Sequence, residues 1–403
     1  MVKIAVLGYG TVGSGVVEVL ETNRDSIARR AGDVIDVKYV LDLRDFPGNP
    51  IQEKIVHDYD VILKDDEVRV VVEVMGGVEP ACTFVKQALM AGKNVATSNK
   101  ELVARHGAEL VALARENSVN FMFEASVGGG IPIIRPLLAS LTADKIEEIT
   151  GILNGTTNYM LTKMSDDGLD YEDVLKNAQE KGYAERNPEA DVKGYDACRK
   201  IAILASLAYG HQVDYEDIYT EGITGITEKD FAYAKKLGVA IKLLATCKRQ
   251  GDKIFSMVSP MMIGPEHPLY NVSNVFNAIF VRGNMLGDAM FYGRGAGKLP
   301  TASAVVADVV EEIKHIHTNV RINWSSEKLS LADMKEASHR FFVRVGVPKA
   351  QKAAQVQALF GDVRFVEAVD GEFGFVTEAM EEKVFDEKAA QLGDVLTYIR
   401  GDF

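Results

Sequence analysis

The sequence predicts an α/β chain in three parts: a doubly wound parallel sheet, then an α+β unit, then a small terminal unit of strands and helices. Three observations predict it. Over the first 125 or so residues, short runs that are apolar throughout, such as Lys3-Ile4-Ala5-Val6-Leu7, alternate with helical stretches, as strands of a parallel sheet covered on both faces do. From about Ile131 the helices lengthen and the strands bunch, and the last 65 or so residues run strand, helix, strand, strand, helix, strand.

In order, the first part has strands over 3–7, 34–41, 68–75, 94–97 and 119–123, with helices over 12–28, 80–91 and 101–115. The second has helices over 171–179, 191–209 and 228–249 and strands over 146–153, 253–263, 278–282 and 288–292. A Gly-rich turn, Gly293-Arg294-Gly295-Ala296-Gly297, leads into an apolar helix over 302–316 that returns to the first part. The expected domains are therefore 1–130, completed by 296–322, then 131–295, a linker over 323–338 that includes Trp324, and a separately folding tail over 339–403.

Composition narrows the function. Apolar residues make 47% of the 403 and charged residues 26%, so the chain folds rather than staying disordered. Its 45 basic against 58 acidic residues leave −13, which disfavours phosphate backbones and anionic lipid; nucleic acid and membranes are poor partners. No apolar run reaches the roughly 18 residues of a membrane span, and the start, with Gly8 breaking its apolar run, does not read as a signal segment. Cys82, Cys198 and Cys247 lie far apart, which suggests neither a disulfide framework nor a cysteine zinc site and fits a reducing cytoplasm. The seven histidines are scattered, and His315 and His317 point to different faces of a helix.

Several residues carry chemistry. Gly8-Tyr9-Gly10-Thr11-Val12-Gly13 is a G-x-G-x-x-G where a strand ends and a helix begins. Gly8 permits the turn, Gly10 lets a pyrophosphate approach the backbone, and Gly13 allows close helix packing, the Rossmann-like dinucleotide pattern. At the end of the second strand, Asp42 suits the ribose hydroxyls of NAD while Arg44 suits the 2′-phosphate of NADP; solvated loop charges are the plain alternative. Ser98 and Glu101 are spaced as a capping box, which puts Lys100 in a first helical turn, where the helix dipole disfavours a cation. Lys200 lies near the middle of an apolar arc formed by Ala197, Ile201, Ile203, Leu204, Leu207 and Ala208, with Asp196 one turn earlier to pair with it. A lysine so placed must have its charge paired, neutralised or used. Upstream, Glu185, Glu189 and Asp191 crowd acids into a turn suited to gripping an ammonium, or simply to capping a helix.

The chain resembles homoserine dehydrogenase over nearly its whole length. The resemblance rests on GYGTVG at Gly8, TSNKELVA at Thr97, EASVGGGIPIIRPL at Glu124, GILNGTTNYML at Gly151, KGYAERNPEADVKGYDACRKIAILA at Lys181, HPLYNVSNVFNAIF at His267 and GAGKLPTASAVVADV at Gly295. It implies interconversion of L-homoserine and L-aspartate 4-semialdehyde with NADP or NAD, in the route to threonine and methionine. Lys200 and Lys100 then resemble the lysines at the reacting oxygen; Glu185, Asp191, Asp196 and Thr156 resemble the substrate-binding set. The cofactor set it implies is Gly8, Gly10, Thr11, Val12, Gly13, Asp42, Arg44, Gly76, Ser98, Lys100 and Gly297. Main-chain carbonyls of Glu124, Val127, Gly129 and Ile131 resemble a monovalent cation site, for a structural sodium ion. A cytoplasmic homodimer or homotetramer is implied as well.

No aspartate-kinase segment precedes Met1, so a monofunctional form is expected. The tail resembles an ACT domain, yet Val347-Pro348-Lys349-Ala350-Gln351 stands where that domain's glycine-containing ligand turn would be. Two other functions compete: a phosphorylating semialdehyde dehydrogenase, which needs a nucleophilic cysteine with a histidine base, and a nicotinamide-sensing regulator, in which Lys100 and Lys200 have no task.

Overall fold

The computed structural model describes residues 1–403, which divide into two compact units. One comprises Met1–Lys145, Ala202–Tyr215 and Phe291–Leu329; the other Ile146–Ile201, Glu216–Met290 and Ser330–Phe403.

In the first unit, β1 (Val2–Leu7), β2 (Ile35–Leu41), β3 (Ile55–Val56), β4 (Val68–Glu73), β5 (Asn94–Thr97) and β6 (Phe121–Met122) form one parallel sheet in the order β3-β2-β1-β4-β5-β6. The order reverses between β1 and β4, and ligands of such sheets bind at the carboxyl ends there. Ile4, Val6, Val70, Val72 and Ala96 are buried in its core. The helix Lys298–Lys314 packs on the helix Thr11–Thr22. Gly15 makes that approach possible, since a Cβ there would stand 2.9 Å from the Lys298 carbonyl and 3.0 Å from the Ala302 methyl.

Some expectations change. The stretch 12–28 is two helices, Thr11–Thr22 and Arg24–Ala31, because Asn23 leaves helical geometry between them. The stretch 191–209 likewise breaks, into Glu189–Val192 and Tyr195–Tyr209, at Gly194 with φ +85°. The largest change is at 228–249. The helix Glu228–Leu237 stops at Gly238, φ +76°, and Ala240–Gln250 is a central strand between Ile146–Ile152 and Lys253–Ile263. Ile241, Leu243, Leu244, Ala245 and Cys247 are all buried, so the segment shows none of the alternation that separates a strand from a helix.

The second sheet has eleven strands. Its main path runs Gly287–Arg294, Phe276–Gly283, Ile146–Ile152, Ala240–Gln250, Lys253–Ile263, Val395–Asp402, Ser338–Val345, Phe373–Val376, Arg364–Val366. The tail keeps the strand-helix-strand-strand-helix-strand order, with its own core of Phe341, Val343, Phe373, Phe375 and Phe385, where the Phe341 and Phe385 rings stack at 3.9 Å.

The tail does not follow a linker or stand apart, as the sequence suggested. Trp324 is buried, packs edge-on against Phe123, and donates its Nε1 hydrogen to Gln212 Oε1 at 3.0 Å. Ser325–Lys328 pairs with His211–Gln212. Val395–Asp402 lies parallel to Lys253–Ile263, with Arg400 beside Met261 and Asp402 beside Ile263. An expected linker thus holds a buried aromatic, and the tail's last strand completes the neighbouring sheet. No helix is long and apolar enough to cross a membrane.

Candidate active site

In the first unit the glycine motif builds a cradle at the carboxyl end of β1. Gly8 has φ +96°, a left-handed conformation that glycine adopts freely. A Cβ on Gly13 would stand 1.9 Å from the Gly8 carbonyl, so only glycine lets the helix start this close to the turn. Beside Gly10, by contrast, nothing lies within 4 Å of the position a Cβ would take, and no side chain caps this helix, which begins at Thr11 and Val12. Open space against uncapped N–H groups suits a diphosphate.

Asp42 and Arg44 form one unit. The Arg44 Nε and Nη2 hydrogens reach the two Asp42 oxygens at 2.9 Å each, and Tyr9 N–H donates to Asp42 Oδ2 at 2.8 Å. The guanidinium above all, with help from the backbone N–H groups of Arg44 and Tyr9, holds the Asp42 carboxyl well below the usual carboxylate range.

Where β4 and β5 end, Glu73 is fully buried and was not singled out by sequence. It accepts from Met75 N–H at 2.8 Å and from the Thr97 hydroxyl at 2.7 Å, bracing the turn that contains Gly76 (φ +83°) against the segment carrying Ser98. Burial raises its pKa. The only signal was its place as the acid closing an apolar strand, Val70-Val71-Val72-Glu73. Ser98 is not the helix cap. Asn99 is, accepting from Leu102 N–H at 3.1 Å while its amide donates to the Gly77 carbonyl, and Lys100 opens the helix Lys100–Glu116. Gly297, φ +121°, stands just before the helix Lys298–Lys314.

The segment from Glu124 to Ile131 turns through consecutive left-handed glycines, Gly128 (φ +72°) and Gly129 (φ +55°). The Glu124 carboxylate is committed to the N–H groups of Ile133, Ile134 and Arg135 at 2.6 to 2.8 Å. Its side chain therefore braces the loop, and a cation here would meet main-chain oxygen.

In the second unit Asn154 joins three of the expected residues. Its amide donates to Asp191 Oδ1 at 2.7 Å and to Asp196 Oδ2 at 2.9 Å. Lys200 Nζ donates to the same Asp196 oxygen at 2.7 Å and to the Leu153 carbonyl at 2.8 Å. Asn154 also caps the helix Gly155–Asp167 through Thr157 N–H. It stood inside a quoted motif, yet its role needs Asp191 and Asp196, 37 and 42 residues on. Lys200 and Asp196 are buried, Asp191 half-buried. The arc around Lys200 is wider than expected, since Ala202, Ala205 and Ser206 are buried too. Thr156 donates its hydroxyl hydrogen to the Tyr183 carbonyl at 2.6 Å. Glu185 is exposed; its carbonyl accepts from the Gln179 amide at 3.1 Å, and its carboxylate takes no part in the Asn154 network.

A dinucleotide cradle on a parallel sheet of this order, and a buried lysine held among carboxylates, are together the equipment of a nicotinamide-dependent oxidoreductase acting on an alcohol. Comparison with known proteins narrows the class. The family model of the homoserine dehydrogenase NAD-binding domain matches residues 8–124, and that of homoserine dehydrogenase matches 132–310. The chain is 44% identical over 329 residues to the homoserine dehydrogenase of Bacillus subtilis, covering 80% of this chain and 75% of that one, and 39% identical over 416 residues to that of Mycobacterium bovis, covering 100% and 92%. The crystal structure of a Thiobacillus denitrificans homoserine dehydrogenase superposes with a TM-score of 0.93 at 34% identity, covering 100% of this chain and 98% of that one. A hyperthermophilic archaeal homoserine dehydrogenase mutant in complex with NADPH superposes with a TM-score of 0.66 at 30% identity, covering 77% and 97%. The chain belongs to the homoserine dehydrogenase family.

Proposed function

We propose that this chain oxidises the terminal alcohol of L-homoserine to L-aspartate 4-semialdehyde, and the reverse, with Lys200 and Lys100 handling the hydroxyl proton. The observation that carries the reading is the Asp191–Asn154–Asp196–Lys200 network. Asp196 and the Leu153 carbonyl use two of the three donor directions of the Lys200 ammonium, which leaves one to address a substrate oxygen. Carboxylates of Asp191, Asp196 and Glu185 grip the substrate ammonium, and Thr156 borders the same loop. Bound nicotinamide supplies the hydride acceptor or donor. Gly8, Gly10, Thr11, Val12 and Gly13 hold its diphosphate, while Gly76, Ser98, Lys100 and Gly297 border the rest of the cofactor.

The Asp42–Arg44 pair suits either cofactor form: Asp42 offers an acceptor to NAD ribose hydroxyls, and Arg44 a cation to an NADP 2′-phosphate. Main-chain carbonyls of Glu124, Val127, Gly129 and Ile131 hold a structural sodium ion, a reading supported by the double-glycine turn and the committed Glu124 side chain. The enzyme works as a cytoplasmic homodimer or homotetramer; three buried cysteines, none of them in a disulfide, fit that compartment. Steady-state oxidation of L-homoserine against 4-hydroxybutanoate, which lacks the ammonium, tests the reading. Homoserine is expected to be strongly preferred, and equal turnover of the two overturns the assignment of the acids.

A further inference from the structure

We propose that Arg400, on the last strand of the tail, is a positioning residue for the substrate acids and acts on them through Glu221. The inference rests on the site reading above and adds a part of the chain that reading does not use. The Arg400 side chain is 1% exposed. Its guanidinium grips Glu382 through Nε at 3.0 Å and Nη2 at 2.5 Å, and its remaining arm, Nη1, reaches Glu221 Oε2 at 2.8 Å. The Tyr219 ring lies 4.7 Å from the guanidinium carbon, and the Tyr219 hydroxyl donates to the same Glu221 oxygen at 3.1 Å. Glu221 is thus held by a buried cation that belongs to the tail.

Glu221 in turn sits on the backbone that sets the two aspartates. Its N–H donates to the Val258 carbonyl at 2.7 Å, and two residues later Ile223 N–H donates to the Val192 carbonyl at 2.9 Å. Between them Gly222 lies so close to the 192–193 backbone that a Cβ would stand 2.0 Å from the Val192 carbonyl oxygen. From the other side, a Cβ on Gly194 would meet Thr220 and Val258 side-chain carbons at 3.1 Å. The segment 219–223 is therefore a plate pressed on the turn 192–194. That turn is what separates Asp191 from Asp196, whose spacing Asn154 requires at 2.7 and 2.9 Å. Closely packed backbone transmits displacement rather than absorbing it. Releasing Glu221 from Arg400 lets the plate relax, and the carboxylates lose the spacing that receives an ammonium.

Glu221→Ala is the informative change, because Arg400 keeps its paired grip on Glu382 and no buried charge is left alone. In the full-length chain we expect the KM for L-homoserine to rise about three- to tenfold, with kcat within about twofold and NADPH affinity by fluorescence titration unchanged. Glu221→Gln, whose carbonyl still accepts from Arg400, restores most of the KM. Asp191→Asn runs alongside and is expected to raise the same KM. An unchanged KM in Glu221→Ala overturns the role of Arg400 while leaving the site reading standing if Asp191→Asn shows its effect. An unchanged KM in Asp191→Asn overturns both. A Glu221→Ala variant that loses homoserine and NADPH affinity together, with a fall in Tm, shows plain destabilisation and also overturns the proposal.

Discussion

The two sheets are assembled in opposite ways. The six-stranded sheet pairs all its strands within residues 2 to 122, and Gly8, Asp42, Gly76 and Ser98 follow the ends of its β1, β2, β4 and β5, so that most of its cofactor-side groups sit just past strand ends. The eleven-stranded sheet sets Val395–Asp402 against Lys253–Ile263, and the Asn154 network joins side chains about 40 residues apart. A site built on one turn depends on local backbone conformation; a site built from distant segments depends on everything that fixes those segments. Damage far from the chemistry should therefore tell on the second and spare the first.

The largest effect is expected from deleting residues 337–403. The change uncovers the edge of Lys253–Ile263 and removes the strand that carries Arg400, so calorimetry should show loss of the cooperative transition or a fall in Tm of more than about 5 °C. This reverses what a separately folding tail would imply. A truncated chain that melts like the full one would show that the sheets do not differ in this respect.

Lys200→Ala comes next. Turnover of homoserine is expected to fall by about 10²- to 10⁴-fold while NADPH still binds, since the residue belongs to the second unit and the cradle to the first. Near-normal turnover, with cofactor tightly bound, would remove Lys200 from the chemistry.

A middle effect concerns two acids on the helix Lys298–Lys314. Asp308 is pushed up to about 8, first by burial and then by Glu124, even though Arg135 pairs with it at 2.6 Å. Glu312 is fully buried, neither carboxyl oxygen has a hydrogen-bond partner, and burial raises it well above the ordinary glutamate value. Burial favours the protonated carboxyl of each in the folded chain. Their contribution to stability is therefore complete below about pH 4 and is lost as pH rises toward the raised native values, at up to about 1.4 kcal/mol per pH unit for each group. Glu312→Gln cannot lose its proton, so the drop in Tm between pH 6 and pH 8 should be smaller in the variant than in the parent. Equal drops would mean that Glu312 does not titrate with unfolding.

The smallest effect is expected at Arg44, which is mostly exposed. Arg44→Ala should weaken NADP by roughly three- to tenfold and NAD hardly at all, because an exposed charge pair is screened by water. Equal change for both cofactors, measured by titration, would show that Arg44 does not read the phosphate.

Much of this was legible beforehand, unevenly. The glycine motif announced a conformation that only glycine adopts easily, and Asp196 four residues before Lys200 announced a pair one helical turn apart. Both are local geometry. Glu73 gave almost no signal, because an acid at a strand end reads as solvated until the neighbouring strand supplies Thr97. The strand Ala240–Gln250 was hidden for a different reason: burial on both faces erases periodicity, and Gly238 was the one mark of the break. Trp324 looked like part of a linker because its neighbours are polar, and only Phe123 and Gln212 make it core.

The sequence by itself determined the α/β class, the dinucleotide cradle, the lysine helix and the family, because each is written in residues close together in the chain or in the order of several motifs. Tertiary structure decided that Asn154 is the hub of the acids, that the tail strand joins the second sheet, and that Arg400 meets Glu221, 179 residues away. The physical reason is range. Backbone conformation and helical spacing act over a few residues and leave a pattern, whereas a hydrogen bond between distant side chains depends on which segments the whole fold brings within about 3 Å, and no local pattern encodes it.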